Sequence, residues 1–490
     1  MDHRHGADSQ SLFHIAEEAM LEQKFIPHPP PAALAEAESK AEPHAAVTGV
    51  EDKTALLWTS IDNPESRDLD QIEVVEDLGG GVTRLSVGIA DVDYFVPANS
   101  AIDKFAATNT ISVYTGVRTF PMLPEKLSFD LSSLVADQSR LCIIVESDLK
   151  SDGTLVKGRT YRALVKNRAK LDYPSISAWL DGTGPLPHNL EGQNDLQDQI
   201  RKQDALAKNL AAARKAHGAL DVETEQQRAV MEGGEVTGMV AEKQTRAGGI
   251  IEELMIASNR TVALSLDAAG FDSIRRVVKQ PERWAKIAAY ANERGVKLPA
   301  EPSSIALSQF VDKMRSERAA EFAEISLSIV KLMGRGEYVA HAPGSTEIGH
   351  FGLATAEYTH STAPNRRYVD LVTQRMIKAL AVKAKSPYSF EALSQIATHS
   401  SEREAAADKV ERRVRKSAAA RLLGSKVGQH FDGIITGASD KGVFVRVFHP
   451  TAEGKVVHGG NGLKVGDRVK VTLRDTNVAR GFIDFVVDAS

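Results

Sequence analysis

Residues 71–96 read QIEVVEDLGGGVTRLSVGIADVDYFV, two runs rich in Val and Ile on either side of Gly79-Gly80-Gly81. β-Branched residues suit a pleated surface, and consecutive glycines supply the backbone freedom that a tight reversal needs. The stretch therefore predicts two strands joined by a hairpin turn. Upstream, ALLWTSI (55–61) predicts another strand, so a mixed sheet begins at Ala55. Downstream, between Asp172 and Glu337, helical periodicity takes over, as in Leu196–Arg214, Pro281–Arg294 and Ser308–Leu332. Two more helices are expected near Val369–Lys383 and Phe390–Leu423. Sheet first and helices after make an α+β body.

At both ends the pattern changes. Ser11–Lys24 and Ala32–Lys40 read as helices, separated by the proline-rich FIPHPPP (25–31), so residues 1–54 predict a small helical unit of helix-turn-helix type or a packing element. Residues 425–490 return to short strands: GQHFDGIITG, KGVFVRV, KVVHG, DRVKVTLRD and GFIDFVV. Five strands at that spacing suit a small closed barrel of the oligonucleotide-binding kind. The expected division is 1–54, 55–424 and 425–490.

The chain has 490 residues, enough for about three domains, and 42% hydrophobic with 26% charged residues is an ordinary globular balance that excludes a disordered or membrane-embedded chain. With one cysteine, Cys142, no internal disulfide or cysteine zinc site is expected. The N-terminus lacks the pattern of a signal peptide and no apolar run spans a bilayer, so a cytoplasmic protein without a membrane partner is expected. The net charge of −5 argues against indiscriminate coating of nucleic acid. Charge is uneven, however. Residues 1–54 carry ten acids against four Lys/Arg, whereas 401–426 carry eight Lys/Arg against four acids, so a polyanion is expected on the C-terminal side.

Two stretches carry chemistry. SIDNPESRDLDQ (60–71) brings Asp62, Asp68 and Asp70 within nine positions. Carboxylates this close repel unless a cation lies between them, and a hard divalent ion prefers such oxygen ligands; a solvated acidic loop is the other reading of the spacing alone. GHFGLATAEYTHSTAPNRRYVDL (349–371) delivers Arg366 and Arg367 to the start of a helix, a placement suited to phosphate contact or to a structural ion pair. His350 in the same motif has no metal-ligand spacing to another histidine and is expected to be a structural hydrogen-bonding residue.

These stretches, in order with IADVDYFVP (89–97), SVYTGVRTFPMLPEKLSFDLSSL (112–134) and IIEELMIASNRTVA (250–263), resemble the ribonuclease II family, the RNB-type exoribonucleases. The C-terminal segment separately resembles an S1-type OB-fold RNA-binding barrel. The resemblance implies a 3′-to-5′ exoribonuclease that hydrolyses single-stranded RNA processively to 5′-nucleoside monophosphates with Mg²⁺, Mn²⁺ being the alternative ion. A catalytically weak RNA-binding factor on the same scaffold is the rival reading, and a DNA exonuclease is a third. A monomer is expected.

Residue by residue, the resemblance implies that Asp62, Asp68 and Asp70 are metal-site carboxylates. The fourth family position is Gln71, a neutral oxygen donor. Asp68, Asp70 and Arg366 are the expected catalytic groups. Tyr114 matches a tyrosine that packs on the 3′-terminal base, while a second stacking aromatic falls at Val222. Glu252 or Glu253, Arg366, Arg367 and Glu411 are expected near the RNA, with Phe431, Lys441, Phe444 and Arg446 forming a platform on the barrel. Family members usually carry two cold-shock barrels ahead of the catalytic domain. The 54 residues here are too few for these, and a wider mouth that tolerates structured RNA is the expectation.

Overall fold

In the computed structural model, residues 11–42, 47–222, 226–232, 235–242, 244–346, 348–439 and 442–488 are described. The central sheet has seven strands: β1 (Glu51–Asp52), β2 (Thr59–Asp62), β3 (Gln71–Gly79), β4 (Val82–Ala90), and, after a separate short hairpin of β5 (Val113–Tyr114) and β6 (Thr119–Phe120), β7 (Ser139–Lys150), β8 (Leu155–Lys166) and β9 (Ala169–Asp172). Their order is β1-β8-β7-β4-β3-β2-β9, with β1–β8 and β2–β9 parallel and the other neighbours antiparallel. β3 and β4 pair from Gln71 with Ile89 to Gly79 with Val82. Gly79, Gly80 and Gly81 all turn with positive φ, at 76°, 62° and 77°, a conformation that a Cβ would penalise at three consecutive residues.

The strand expected over 55–61 forms only from Thr59. Trp58 is fully buried before it, with its Nε1 donating to Lys53 O at 2.9 Å, so the indole anchors a turn instead of extending the strand. In the middle region, helices Asn194–Ala216 and Arg246–Ala268 cover the sheet, and between them lies an unforeseen hairpin, β10 (Gln226–Glu232) with β11 (Glu235–Glu242). The helix expected over 308–332 is two helices, Ser304–Glu317 and Phe322–Met333. The chain leaves helical geometry at Arg318 (φ −134°, ψ 45°), which lets Phe322, Ile325 and Ile329 turn onto the same cluster as Phe310 and Met314. β12 (Ser273–Val277) pairs with β13 (Glu337–His341).

Helix Leu12–Glu22 lays Leu12, Ile15, Ala16, Ala19 and Met20 inward, and helix Pro31–Glu38 buries Ala33 and Ala37. The 35-residue helix Phe390–Gly424 connects the body to a closed barrel of β14 (His430–Ser439), β15 (Gly442–Phe448), β16 (Thr451–His458), β17 (Arg468–Asn477) and β18 (Phe482–Val487), in the order β14-β15-β16-β18-β17. The body is thus mixed α and β, and the barrel is separate and all β. Among the described residues no helix is long and apolar enough to cross a membrane.

Candidate active site

The loop between β2 and β3 is held at both ends and in the middle. Leu69 is buried, its amide donates to Ser133 Oγ at 3.0 Å, and its carbonyl accepts from Leu134 N at 3.0 Å. Asp70 O accepts from Ala90 N at 2.9 Å, while Lys170 Nζ donates to Pro64 O at 3.0 Å and Ser66 O at 2.6 Å. With Leu69 turned into the core, Asp62, Asp68, Asp70 and Gln71 all line one cavity of about 850 Å³.

The arginine motif arrives from the other side. Arg366 O accepts from Ser112 N at 3.0 Å, Tyr368 N donates to Thr110 O at 2.8 Å, and Asn365 Oδ1 accepts from Ser132 Oγ at 2.5 Å. These bonds set Arg366 against the acidic loop. Arg366 Nε donates to Asp70 Oδ2 at 3.1 Å, and Asn365 N donates to Asp70 Oδ1 at 3.0 Å. Asp70 is only 2% exposed, and burial pushes its carboxyl up to about 7 despite Arg366, with Asp68 adding to the rise.

Asp62 accepts from Asn63 N at 2.7 Å and Ser66 Oγ at 2.9 Å, and burial holds it above the usual carboxylate range. Tyr114 shares the cavity, and its hydroxyl donates to Asp68 Oδ2 at 2.5 Å. Glu411 Oε1 accepts from Tyr114 N at 3.0 Å, and burial pushes this carboxyl up to about 7. Asp62, Asp68, Asp70, Gln71, Tyr114, Arg366 and Glu411 are therefore brought together from four separate stretches of chain.

Other expected residues lie elsewhere. Arg367 makes a two-pronged ion pair with Asp370, Nε to Oδ2 at 2.8 Å and Nη2 to Oδ1 at 2.7 Å, and is absent from the cavity wall. Its guanidinium is engaged at the helix start. Glu253 is buried and paired with Arg214, whose Nε donates to Oε2 at 2.9 Å, and Glu252 Oε2 accepts from Gln244 Nε2 at 2.7 Å. The helix that carries both turns Ile251 and Met255 to the cavity, and neither glutamate lines it. Val222 is half-buried against the cluster of Phe310 and Met314.

On the barrel, Phe431 is buried and packs edge-to-face on Phe485 at 6.1 Å, so it is core and does not belong to an RNA platform. Phe444 and Arg446 are half-buried on β15, and Lys441 lies outside the described residues. Among the described residues, the phenylalanines that the barrel exposes are Phe448 and Phe482. His350 Nδ1 accepts from Leu353 N at 3.1 Å, a capping role.

Sequence reasoning missed Arg67, Arg118, Tyr173 and Arg415 on the cavity wall. Arg67 lies over the Phe129 ring at 4.8 Å. It also missed Glu73, two residues along β3 from Gln71. Glu73 is fully buried, both of its oxygens lack a hydrogen-bond partner among the described residues, and burial holds it well above the ordinary range. A period-two pattern that puts Glu73 on the face of Thr59, its cross-strand partner, was the available signal.

The metal-site candidates Asp62, Asp68, Asp70 and Gln71 all offer oxygen, and a buried Asp70 that resists ionisation beside Asp68 is a site that a hard cation would satisfy. Among the described residues no three carboxylate, imidazole or thiol groups cluster tightly enough to hold an ion in this arrangement. The carboxylates are instead turned to Ser66, Tyr114 and Arg366.

Residues 50–383 match the RNB domain, and residues 429–488 match the RNase II-type exonuclease C-terminal S1 domain. Ribonuclease R of Thermotoga maritima is 30% identical over 474 residues, covering 90% of this chain and 65% of the relative. Ribonuclease R 1 of Lactococcus lactis is 28% identical over 517 residues, covering 98% of this chain and 61% of the relative. The chain thus spans less than two thirds of the length of these relatives. The apo form of Mycoplasma genitalium RNase R shares the fold, with a TM-score of 0.87 at 21% identity over 98% of this chain and 78% of that one.

Proposed function

The chain belongs to the RNB-domain family, and on that premise we propose that it is a 3′-to-5′ exoribonuclease that hydrolyses single-stranded RNA to 5′-nucleoside monophosphates. The observation that carries this reading is the convergence of Asp62, Asp68 and Asp70 with Arg366 and Tyr114 on one cavity. An aromatic face next to carboxylates and a guanidinium is what sequence-tolerant capture of an RNA end needs, because every base has a π surface and every linkage carries a phosphate.

In this reading Asp62, Asp68 and Asp70, with the Gln71 carbonyl, are the residues that would hold Mg²⁺ or Mn²⁺. A hard divalent ion there would supply Lewis-acid activation of water and neutralise charge on the phosphate. The protein's own groups do the rest. Asp70 orients Arg366 through the 3.1 Å bond from Nε, and Arg366, 43% exposed at its side chain, contacts the phosphate on which charge builds up. Tyr114 stacks on the terminal base. The barrel supplies further single-strand contacts through Phe444 and Arg446, which lie on the outward face of β15.

The test is stepwise shortening of a 5′-labelled RNA oligomer with Mg²⁺ and with chelator. A ladder that depends on the ion supports the reading. Binding without any shortening would favour the RNA-binding factor, which the neutral Gln71 makes chemically reasonable. Hairpins with graded 3′ tails, read by the stall position, test the tolerance of structured RNA.

A further inference from the structure

Helix Leu12–Glu22 carries none of the acidic loop or the arginine motif, yet one of its side chains pairs with a residue of the cavity wall. Arg118 lines the cavity with Asp68 and Tyr114, and its Nη1 donates to Glu17 Oε1 at 3.0 Å. Glu17 also meets His28 Nε2 at 3.2 Å. Arg118 closes the turn of the hairpin that carries Tyr114: its amide donates to Thr115 Oγ1 at 3.0 Å, and Thr115 N donates to Arg118 O at 3.2 Å.

That hairpin has only two cross-strand pairs, Val113 with Phe120 and Tyr114 with Thr119. Two-stranded hairpins are marginal in isolation, so its neighbours decide where it sits. Helix Phe390–Gly424 holds its base through Glu411 and Tyr114 N. Helix Leu12–Glu22 holds its tip: Val117 packs into the cluster of Leu12 and Ile15 and into that of Ala16, Ala19 and Met20. The two helices are fastened together by Arg413, which pairs with Glu22 and, at 3.9 Å, with Glu18, two residues from Glu411.

We propose that Glu17 is a positioning residue for RNA capture: through Arg118 it sets the Tyr114 hairpin against the cavity, making the first helix a working part of the grip on the RNA 3′ end. This rests on the reading of the cavity as an RNA site. The direction of the effect separates it from simple electrostatics. Glu17 neutralises Arg118, so removing the carboxylate leaves an extra free cation facing a polyanion, and charge alone would tighten RNA binding. Positioning has the opposite sign, because a loosened Tyr114 stacks less well.

The experiment uses the full chain and a short 5′-labelled oligoadenylate, with the dissociation constant measured in chelator, KM and kcat measured in Mg²⁺, and thermal unfolding followed in parallel. Glu17→Ala should weaken binding about fivefold, a fraction of what losing one base stack costs. The loss should fall on KM more than on kcat, with the unfolding midpoint little changed because a half-exposed, solvent-screened pair adds little stability. Glu17→Gln, which can still accept from Arg118, should lie between, and the exchange Glu17→Arg with Arg118→Glu should recover most of the affinity. Wild-type or tighter binding by Glu17→Ala would overturn the proposal, as would a loss that Glu17→Gln fails to moderate. If the wild type neither binds nor shortens RNA, the reading of the cavity itself fails, and the proposal falls with it.

Discussion

The hydroxyl of Tyr114 donates to Oδ2 of Asp68 at 2.5 Å, so the ring proposed to stack on RNA and a carboxylate proposed to hold metal are tied to each other in the free chain. A hydrogen bond to a charged acceptor contributes about 1.5–3 kcal/mol. A cation that takes Oδ2 of Asp68 competes with it, and a movement of the ring toward a base breaks it. Tyr114→Phe should therefore tighten Mn²⁺ binding, followed by calorimetry on the RNA-free protein, by about tenfold. The aromatic face is kept, so RNA affinity should hold. Unchanged or weaker Mn²⁺ binding would mean that Asp68 is not held back by this bond.

Asp70 is the buried member of the acidic set, satisfied by Asn365 N and Arg366 Nε. Asp70→Asn keeps the shape and loses the charge. It should abolish shortening while leaving RNA affinity in chelator close to wild type, because affinity comes from phosphate and stacking contacts on other residues. Parallel loss of binding and turnover would remove Asp70 from the chemistry.

How much of this was legible can be seen residue by residue. Asp62, Asp68, Asp70, Tyr114, Arg366 and Glu411 lie far apart in the chain, and resemblance to a family brought them together where periodicity could not. The β3–β4 hairpin was readable because three glycines and two Val-rich runs obey local rules. Arg367 and Glu253 were not separable from Arg366 and Glu252 in sequence, since neighbours share every local signal. Their partners, the buried Asp370 and the half-buried Arg214, decide which way they face. Phe431 reads like any barrel aromatic until the strand register sends it inward. The β10–β11 hairpin was hidden between two long helices.

Gln71 stands where a carboxylate is expected and lines the same cavity. Gln71→Asp adds a charged oxygen ligand, so the Mg²⁺ concentration for half-maximal shortening should fall relative to wild type. The added charge also lies beside Asp70, which already resists ionisation, and repulsion works against the gain when the ion is absent. Thermal unfolding in chelator should therefore show Gln71→Asp less stable than wild type, with Mg²⁺ closing the gap. An unchanged or higher Mg²⁺ requirement would show that position 71 does not serve the ion.

Glu411 gives the pH dependence. Burial pushes its carboxyl up to about 7, whereas in the unfolded chain it titrates at about 4.3. The folded state therefore keeps a proton that the unfolded state has released. Stability from this group is fully present below about pH 4.3, falls as pH rises toward 7, and levels off above it. Glu411→Gln removes that dependence while its side-chain carbonyl can still accept from Tyr114 N. Relative to wild type, the variant should be stabilised by about 3–4 kcal/mol at pH 8, with the gap narrowing as pH falls toward 5. Thermal or urea unfolding across that range in chelator measures it. A gap independent of pH would mean that Glu411 is ionised at neutral pH in the folded chain, and that Tyr114 N is then held by a carboxylate throughout.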